Sequence, residues 1–390
     1  MNLNGLRRIT SDGNFIAQVD GFRLLAIAIV ILSHIQLQMA DRVGIAWPAW
    51  LDFAEGGRRG VSFFFVISGF ILGLPFARRA LAPDPVKPLS PFSYRAYLLR
   101  RVTRLEPPFV LSILLRLGLI LFVFRQDVRQ LLPHFWATLF YSHNLIFGTM
   151  SRISPPTWSL EVEVQFYLLA PLLARVFRIS SAGIRVSLLV SAIVLFSVLA
   201  RVYFPDIERY QLSLLGTAQH FLAGFLLCEF YFVTSRVRPA RGYLLDALAI
   251  IVLLPLLYSD KLTVEVLFPF GALLVFCAGL RGMLLPRLFG LTIISVSGGM
   301  CYSLYLTHGT VLATLGTLWS KIALGSLPLL AQQLLTIAVG AVAVYATGAV
   351  YFVLIERPCM DPHWPRQLVA RLRYRRSGAF RSDQVKIGAQ

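Results

Sequence analysis

Ten apolar stretches of about 17–25 residues punctuate this chain, each long enough to cross a hydrocarbon core of roughly 30 Å. They run near 22–40, 60–78, 107–124, 159–177, 186–204, 213–234, 242–259, 263–280, 295–318 and 330–355. Lipid offers backbone N–H and C=O groups no partner, so such stretches must satisfy them internally, as helices. The expected fold class is all-α: a polytopic membrane helical bundle of about ten transmembrane helices. The segment 131–147 is too polar and interrupted for a span and reads as re-entrant or lying along the surface. No small-residue cleavage site follows the first stretch, which reads as a retained span rather than a cleaved signal peptide. Composition points the same way. The 390 residues are 57% hydrophobic and 14% charged, with a mean hydropathy of +0.69. A soluble domain carries about 25% charged residues, and a disordered chain needs low hydrophobicity. Both are excluded.

The formal net charge of +18 would, alone, suggest an anionic macromolecular partner such as nucleic acid. The placement of the charges argues otherwise. With the N-terminus inside, 25 of the 37 basic residues fall on the inner side and 10 on the outer. This is the positive-inside pattern, and it puts both termini in the cytoplasm. Counting 131–147 as a span would invert everything after it and send Arg175, Arg178, Arg236, Arg238 and Arg241 outside. The chain therefore divides into a cytoplasmic N-terminal segment (1–21), a membrane domain (22–358) and a basic cytoplasmic tail (359–390). The tail either lies on anionic lipid headgroups or serves only to fix topology. No nucleic-acid partner is needed. Cys228, Cys277, Cys301 and Cys359 form no C-x-x-C pair, so neither a disulfide framework nor a metal site is expected.

Ionisable side chains at membrane depth are costly and mark function by default. In the first helix Arg23 and His34 are 11 residues apart, three turns plus about 20°, so they share a face. They stand about 16 Å apart along the axis. An arginine that can hold phosphate and a histidine that can move a proton suit transfer from an anionic donor. In the second span Ser68-Gly69 allows close approach of another backbone, and Phe63-Phe64-Phe65 is expected to pack toward lipid. Arg101 and Arg104 are i,i+3 neighbours and form a paired fork for phosphate. Glu161 and Glu163 lie about 200° apart around the fourth span, one expected inward and the other at the rim. Ser68, Tyr305 and His308 are further candidates, while His220 and Glu229 read as packed, hydrogen-bonded residues.

Taken together these motifs resemble the acyltransferase-3 family of integral membrane acyltransferases. The resemblance rests on Asp20-Gly21-x-Arg23…His34, on Gly60-Val61 through Phe63-Phe64-Phe65 to Ser68-Gly69-Phe70, and on Arg101-x-x-Arg104 with Pro107. It continues in Trp158-Ser159-Leu160 with Glu163, Phe166 and Tyr167, in Tyr302-Ser303-Leu304-Tyr305-Leu306-Thr307-His308, and in Glu356 with Pro358. It covers about 20–360. Cys301 departs from the usual serine, and no extra extracytoplasmic esterase-like domain is evident, so the chain resembles a stand-alone member. The resemblance implies a multi-pass protein of a bacterial inner membrane. It implies an acyl-CoA co-substrate, most often acetyl-CoA, and transfer of the acyl group to a hydroxyl of an extracytoplasmic carbohydrate or glycosylated product of the cell envelope. Arg23, Arg101 and Arg104 would then hold the coenzyme A phosphates. His34 would act as general base or carry the acyl group transiently, and Glu163 would orient it or meet the acceptor. The competing reading is a transporter or flippase for a lipid-linked sugar, against which the lack of repeat symmetry counts.

Overall fold

A computed structural model of the chain describes residues 7–9, 15–47, 56–81, 92–234, 242–259, 261–322, 327–361 and 364. The basic tail beyond them lies outside the described residues. All regular structure among the described residues is helical. In chain order the helices are α1 (Ala17–Ile35), α2 (Gly56–Leu81), α3 (Tyr94–Phe122), α4 (Val128–Leu139), α5 (His143–Phe147), α6 (Trp158–Leu173) and α7 (Ala182–Val198). There follow α8 (Leu214–Thr234), α9 (Leu244–Tyr258), α10 (Leu262–Arg281), α11 (Leu285–Gly290), α12 (Thr292–Gly299), α13 (Cys301–Trp319) and α14 (Leu329–Tyr351).

Each of the ten expected spans is helical, and seven helical segments are long and apolar enough to cross a membrane. The other three are informative. α6 has 16 residues and carries Glu161, Glu163 and Gln165. α9 has only 15 residues. The ninth stretch is broken at Met300 into α12 and α13. The break follows Gly298, where a Cβ would collide with the Asp20 carbonyl of α1. α1 thus presses backbone to backbone on the ninth stretch, and only glycine permits it. The polar segment 131–147 is two short helices, α4 and α5, joined at Tyr141, whose φ is 53°.

α3 starts at Tyr94, well before the expected 107. The i,i+3 pairing of Arg101 and Arg104 already implies helix ahead of Pro107-Pro108. In the structure the helix runs through both. Pro107 cannot donate to the Thr103 carbonyl one turn back. The Trp364 indole N–H donates to that oxygen instead, at 3.0 Å.

α2 and α8 form the centre of the bundle. They cross where Gly69 lies against the Phe221 carbonyl and Gly224 against the Val66 carbonyl and the Phe70 amide. Phe63 and Phe65 are buried there, against Phe268 and Phe276 and against Phe221 and Trp158. The expectation that this aromatic run faces lipid is thereby corrected, because Phe63 and Phe65 pack on aromatic rings of α10, α8 and α6. The outside is apolar instead. Phe122, Leu244 and Val342 are 83%, 73% and 68% exposed, the inverse of a soluble surface.

Some arginines that the charge count treats as topology markers are buried and paired. Arg185 forks onto Glu229 at 2.6 and 3.0 Å. Arg59 donates to the Leu256 and Ser259 carbonyls. Each of these charges is matched by specific acceptors, which is what burial of a guanidinium requires.

Candidate active site

One cavity of about 260 Å³ opens among α1, α2, α3, α6 and α13. Arg23, Ser68, Arg101, Arg104, Glu163 and Tyr305 all line it. Six of the eight site candidates are thus brought together from five helices. The remaining two, His34 and His308, are not part of its wall. They lie beyond Tyr305, with their rings edge to face at 4.8 Å. The Tyr305 ring is 5.6 Å from His308, so the residue adjoins both the cavity and the histidine pair.

The arginines are held in different ways. Arg23 donates to Asp20 at 2.7 Å, and Arg8 donates to the other oxygen of the same carboxylate at 2.7 Å. Asp20 is fully buried. Arg101 lies over the faces of Tyr97 and Tyr167, 5.6 and 5.1 Å from the ring centres. This cation–π sandwich aims the guanidinium without using up its donors. Arg104 has a buried Nε with no partner, and Glu356 has a buried Oε1 with none. Both residues line the cavity. Two unpaired polar atoms in the wall of one cavity are the sort of groups a bound polar ligand would satisfy.

The two glutamates point apart around α6, but the expectation of one at the rim is corrected, since Glu161 is buried. Glu163 accepts from the Ser68 hydroxyl at 2.7 Å and from the Tyr167 hydroxyl. Glu161 turns away and accepts from the Asn144 and Leu145 amides at 2.9 and 3.1 Å. It caps α5, whose first N–H groups need acceptors, and its role is structural.

The histidines have a fixed tautomer. His34 Nδ1 is 2.8 Å from the Val30 carbonyl. A carbonyl only accepts, so Nδ1 carries the proton of the neutral ring and Nε2 keeps a lone pair. His308 makes the same contact with the Tyr305 carbonyl, and its buried Nε2 has no partner. Two imidazole bases therefore meet with both Nδ1 atoms pinned to their own helices. Arg116 fixes the neighbouring turn by donating to the Gly309 and Ile153 carbonyls.

Sequence reasoning passed over Tyr97 as the second support of Arg101 and over Arg116. The first left a signal, since Tyr97 is one turn before Arg101 on the same helix. The second left none, because its partners are distant carbonyls.

A second histidine pair flanks the site on α4 and α5. The His143 Nδ1–H donates to the Thr149 carbonyl, so its Nε2 accepts from His134 Nδ1–H at 2.8 Å. The contact needs His143 neutral, since its Nε2 must keep a lone pair to accept. Burial first, then the charges of His143 and Arg152, push His134 below its ordinary value. Burial likewise lowers His143, against the Thr149 hydrogen bond. A histidine depressed in the folded state favours folding while neutral. That contribution is present above about pH 6.5, the ordinary imidazole value, and is lost as pH falls below it. Hydrogen exchange of the 134–149 amides, corrected for intrinsic rate, should speed up at pH 5 relative to pH 7.5. Equal protection at both would refute the pairing.

This architecture is that of an integral multi-pass membrane enzyme, and the chain belongs to the acyltransferase domain family whose model matches residues 16–354. It is an acyltransferase. It is 27% identical over 372 residues to the candidate membrane-bound transacylase BcsY of Komagataeibacter xylinus, covering 88% of this chain and 82% of that one. It is 26% identical over 229 residues to the O-acetyltransferase OatA of Staphylococcus aureus, which covers 53% of this chain and 35% of OatA. The candidate peptidoglycan O-acetyltransferase YrhL of Bacillus subtilis matches at 27% over 199 residues, 48% of this chain and 28% of its own. The chain thus spans about a third of the length of these last two relatives. No solved structure matches it significantly.

Proposed function

We propose that the protein moves an acyl group, most simply acetyl, from acyl-CoA to a hydroxyl of an extracytoplasmic carbohydrate of the cell envelope. The carrying observation is the placement of three arginines in one cavity whose far wall, Tyr305, adjoins two imidazole bases. Arg23, Arg101 and Arg104 hold the coenzyme A phosphates, for which guanidinium forks are suited. The pantetheine arm carries the thioester past Ser68 and Glu163 toward Tyr305. His34 Nε2 takes the proton of the acceptor hydroxyl, whose oxygen attacks the thioester carbonyl carbon. The C–S bond breaks, and the coenzyme A thiolate recovers the proton from His34. Glu163, already fixed by Ser68 and Tyr167, orients the acceptor. In this reading all ten stretches span a bacterial inner membrane, both termini are cytoplasmic, and 22–358 is the catalytic domain between the segment 1–21 and the tail 359–390. The donor enters from inside and the acceptor from outside. The related O-acetyltransferases support an envelope polysaccharide as acceptor.

The test is reconstitution of the full chain in vesicles with labelled acetyl-CoA on the donor side and envelope glycan on the other. Label should appear on the glycan as an ester removed by mild base. A transporter or flippase would leave the glycan unlabelled. Arg101→Gln should raise the KM for acetyl-CoA about 10- to 100-fold, the worth of one charge-assisted hydrogen bond, with little change in kcat. An unchanged KM would remove Arg101 from the donor site.

A further inference from the structure

The wall of the arginine cavity holds an acid that no step of the transfer has used. Glu356 closes the π-helical turn Phe352–Glu356 that follows α14. Such widened turns recur at functional sites. The residue is 1% exposed and lines the cavity. Its Oε2 is engaged, accepting from the Ser303 amide at 3.1 Å and from the Ser303 hydroxyl at 2.5 Å. Its Oε1 is buried with no partner. Arg104 lines the same cavity, yet among the described residues no ion pair joins the two, and its buried Nε–H is unpartnered as well. The wall therefore presents one spare acceptor and one spare donor.

The level of Glu356 in the bundle is set by Ser303. α12 and α13 run alongside α1 in the same direction. Gly298 lies against Asp20, His308 against His34, and Gly316 against Gln38. Ser303 is five residues before His308, about 7–8 Å along the axis. Glu356 is thus held between the level of the Asp20–Arg23 turn and that of the histidine pair.

The acyl-transfer reading, on which this inference rests, puts phosphates at Arg23 and the reacting carbonyl near His34. The part of acyl-CoA between those two points is the pantetheine arm. Phosphate oxygens and a thioester carbonyl only accept hydrogen bonds, so neither can satisfy a carboxylate oxygen. The arm can, because its amides offer both an N–H and a C=O. We infer that Glu356 Oε1 accepts an amide N–H of the pantetheine arm, and that Arg104 Nε–H donates to an amide carbonyl of the same arm. The other guanidinium N–H groups of Arg104 stay with the phosphates. Glu356 then determines specificity: a phosphate-bearing donor without such an N–H leaves a buried carboxylate oxygen unpaired, which costs affinity.

The purified full chain should be titrated with coenzyme A and with adenosine 3′,5′-bisphosphate, which keeps the nucleotide and lacks the arm. Glu356→Gln retains an oxygen for Ser303 and replaces the spare acceptor with a donor. It should weaken coenzyme A about tenfold or more, the worth of a hydrogen bond to a charged group, and leave the bisphosphate unchanged. A second measurement needs no variant. A coenzyme A analogue with ester oxygens in place of both amide N–H groups should bind the wild-type chain at least tenfold more weakly than coenzyme A, and that difference should shrink in Glu356→Gln. Coenzyme A affinity unchanged by Glu356→Gln, an equal loss for coenzyme A and the bisphosphate, or an analogue bound as tightly as coenzyme A would each overturn the assignment. Failure of coenzyme A to saturate the wild-type chain is a different result, and it would overturn the donor reading beneath it.

Discussion

Replacing His34 with alanine is expected to lower acyl transfer about a thousandfold, within the range a positioned general base contributes. The expectation follows from the tautomer. The Nδ1–H donates to the Val30 carbonyl, which leaves Nε2 as the only basic nitrogen of the ring. Because His34 lines no part of the arginine cavity, acyl-CoA binding should stay within a fewfold of wild type. The loss should fall on kcat, the signature of a group needed in the transition state rather than in binding. His308→Ala should cost less, since it removes a neighbour of the base and not the base itself. Transfer retained by His34→Ala, in protein that inserts and unfolds normally, would sink the assignment.

The second large effect concerns the fold. Gly224→Val should cost the bundle about 3 kcal/mol or more, the upper range for overpacking. Its Cβ would meet the Val66 carbonyl and the Phe70 amide, which are backbone and cannot rotate away. α2 and α8 would have to separate, and the arginine cavity is built partly on α2. Detergent-solubilised Gly224→Val should therefore run as aggregate or unfold at markedly lower temperature. Gly118→Val, where nothing lies within 4 Å of the added Cβ, is the matched control and should behave as wild type. Equal behaviour of the two variants would refute the close crossing.

Helix positions were readable from apolar length alone, and so was the shared face of Arg23 and His34, because both are properties of one continuous helix. What escaped was non-local. The passage of α3 through Pro107-Pro108 leaves the Thr103 carbonyl to Trp364, a contact across 261 residues. The break at Met300 depends on α1 lying against Gly298. The grouping of Arg101, Glu163 and Tyr305 was suggested by resemblance, but that His34 and His308 stay out of the cavity wall was not visible in any spacing. Charge counting was the least discriminating guide. It treated Arg59 and Arg201 as side markers, whereas the fold brings both to one carboxylate, Glu265.

Asp20 gives the N-terminal segment a thermodynamic stake in the arginine cavity. One carboxylate serves Arg8, on the segment before α1, and Arg23, on the cavity wall. A phosphate arriving at Arg23 competes for the guanidinium that Asp20 holds, and whatever it weakens there changes the hold on Arg8. Linkage requires the converse by the same factor: whatever loosens Arg8 must alter affinity at Arg23. A bulky fusion placed just before residue 7 would then act as an effector of donor binding, and a fusion at the other end of the chain would not.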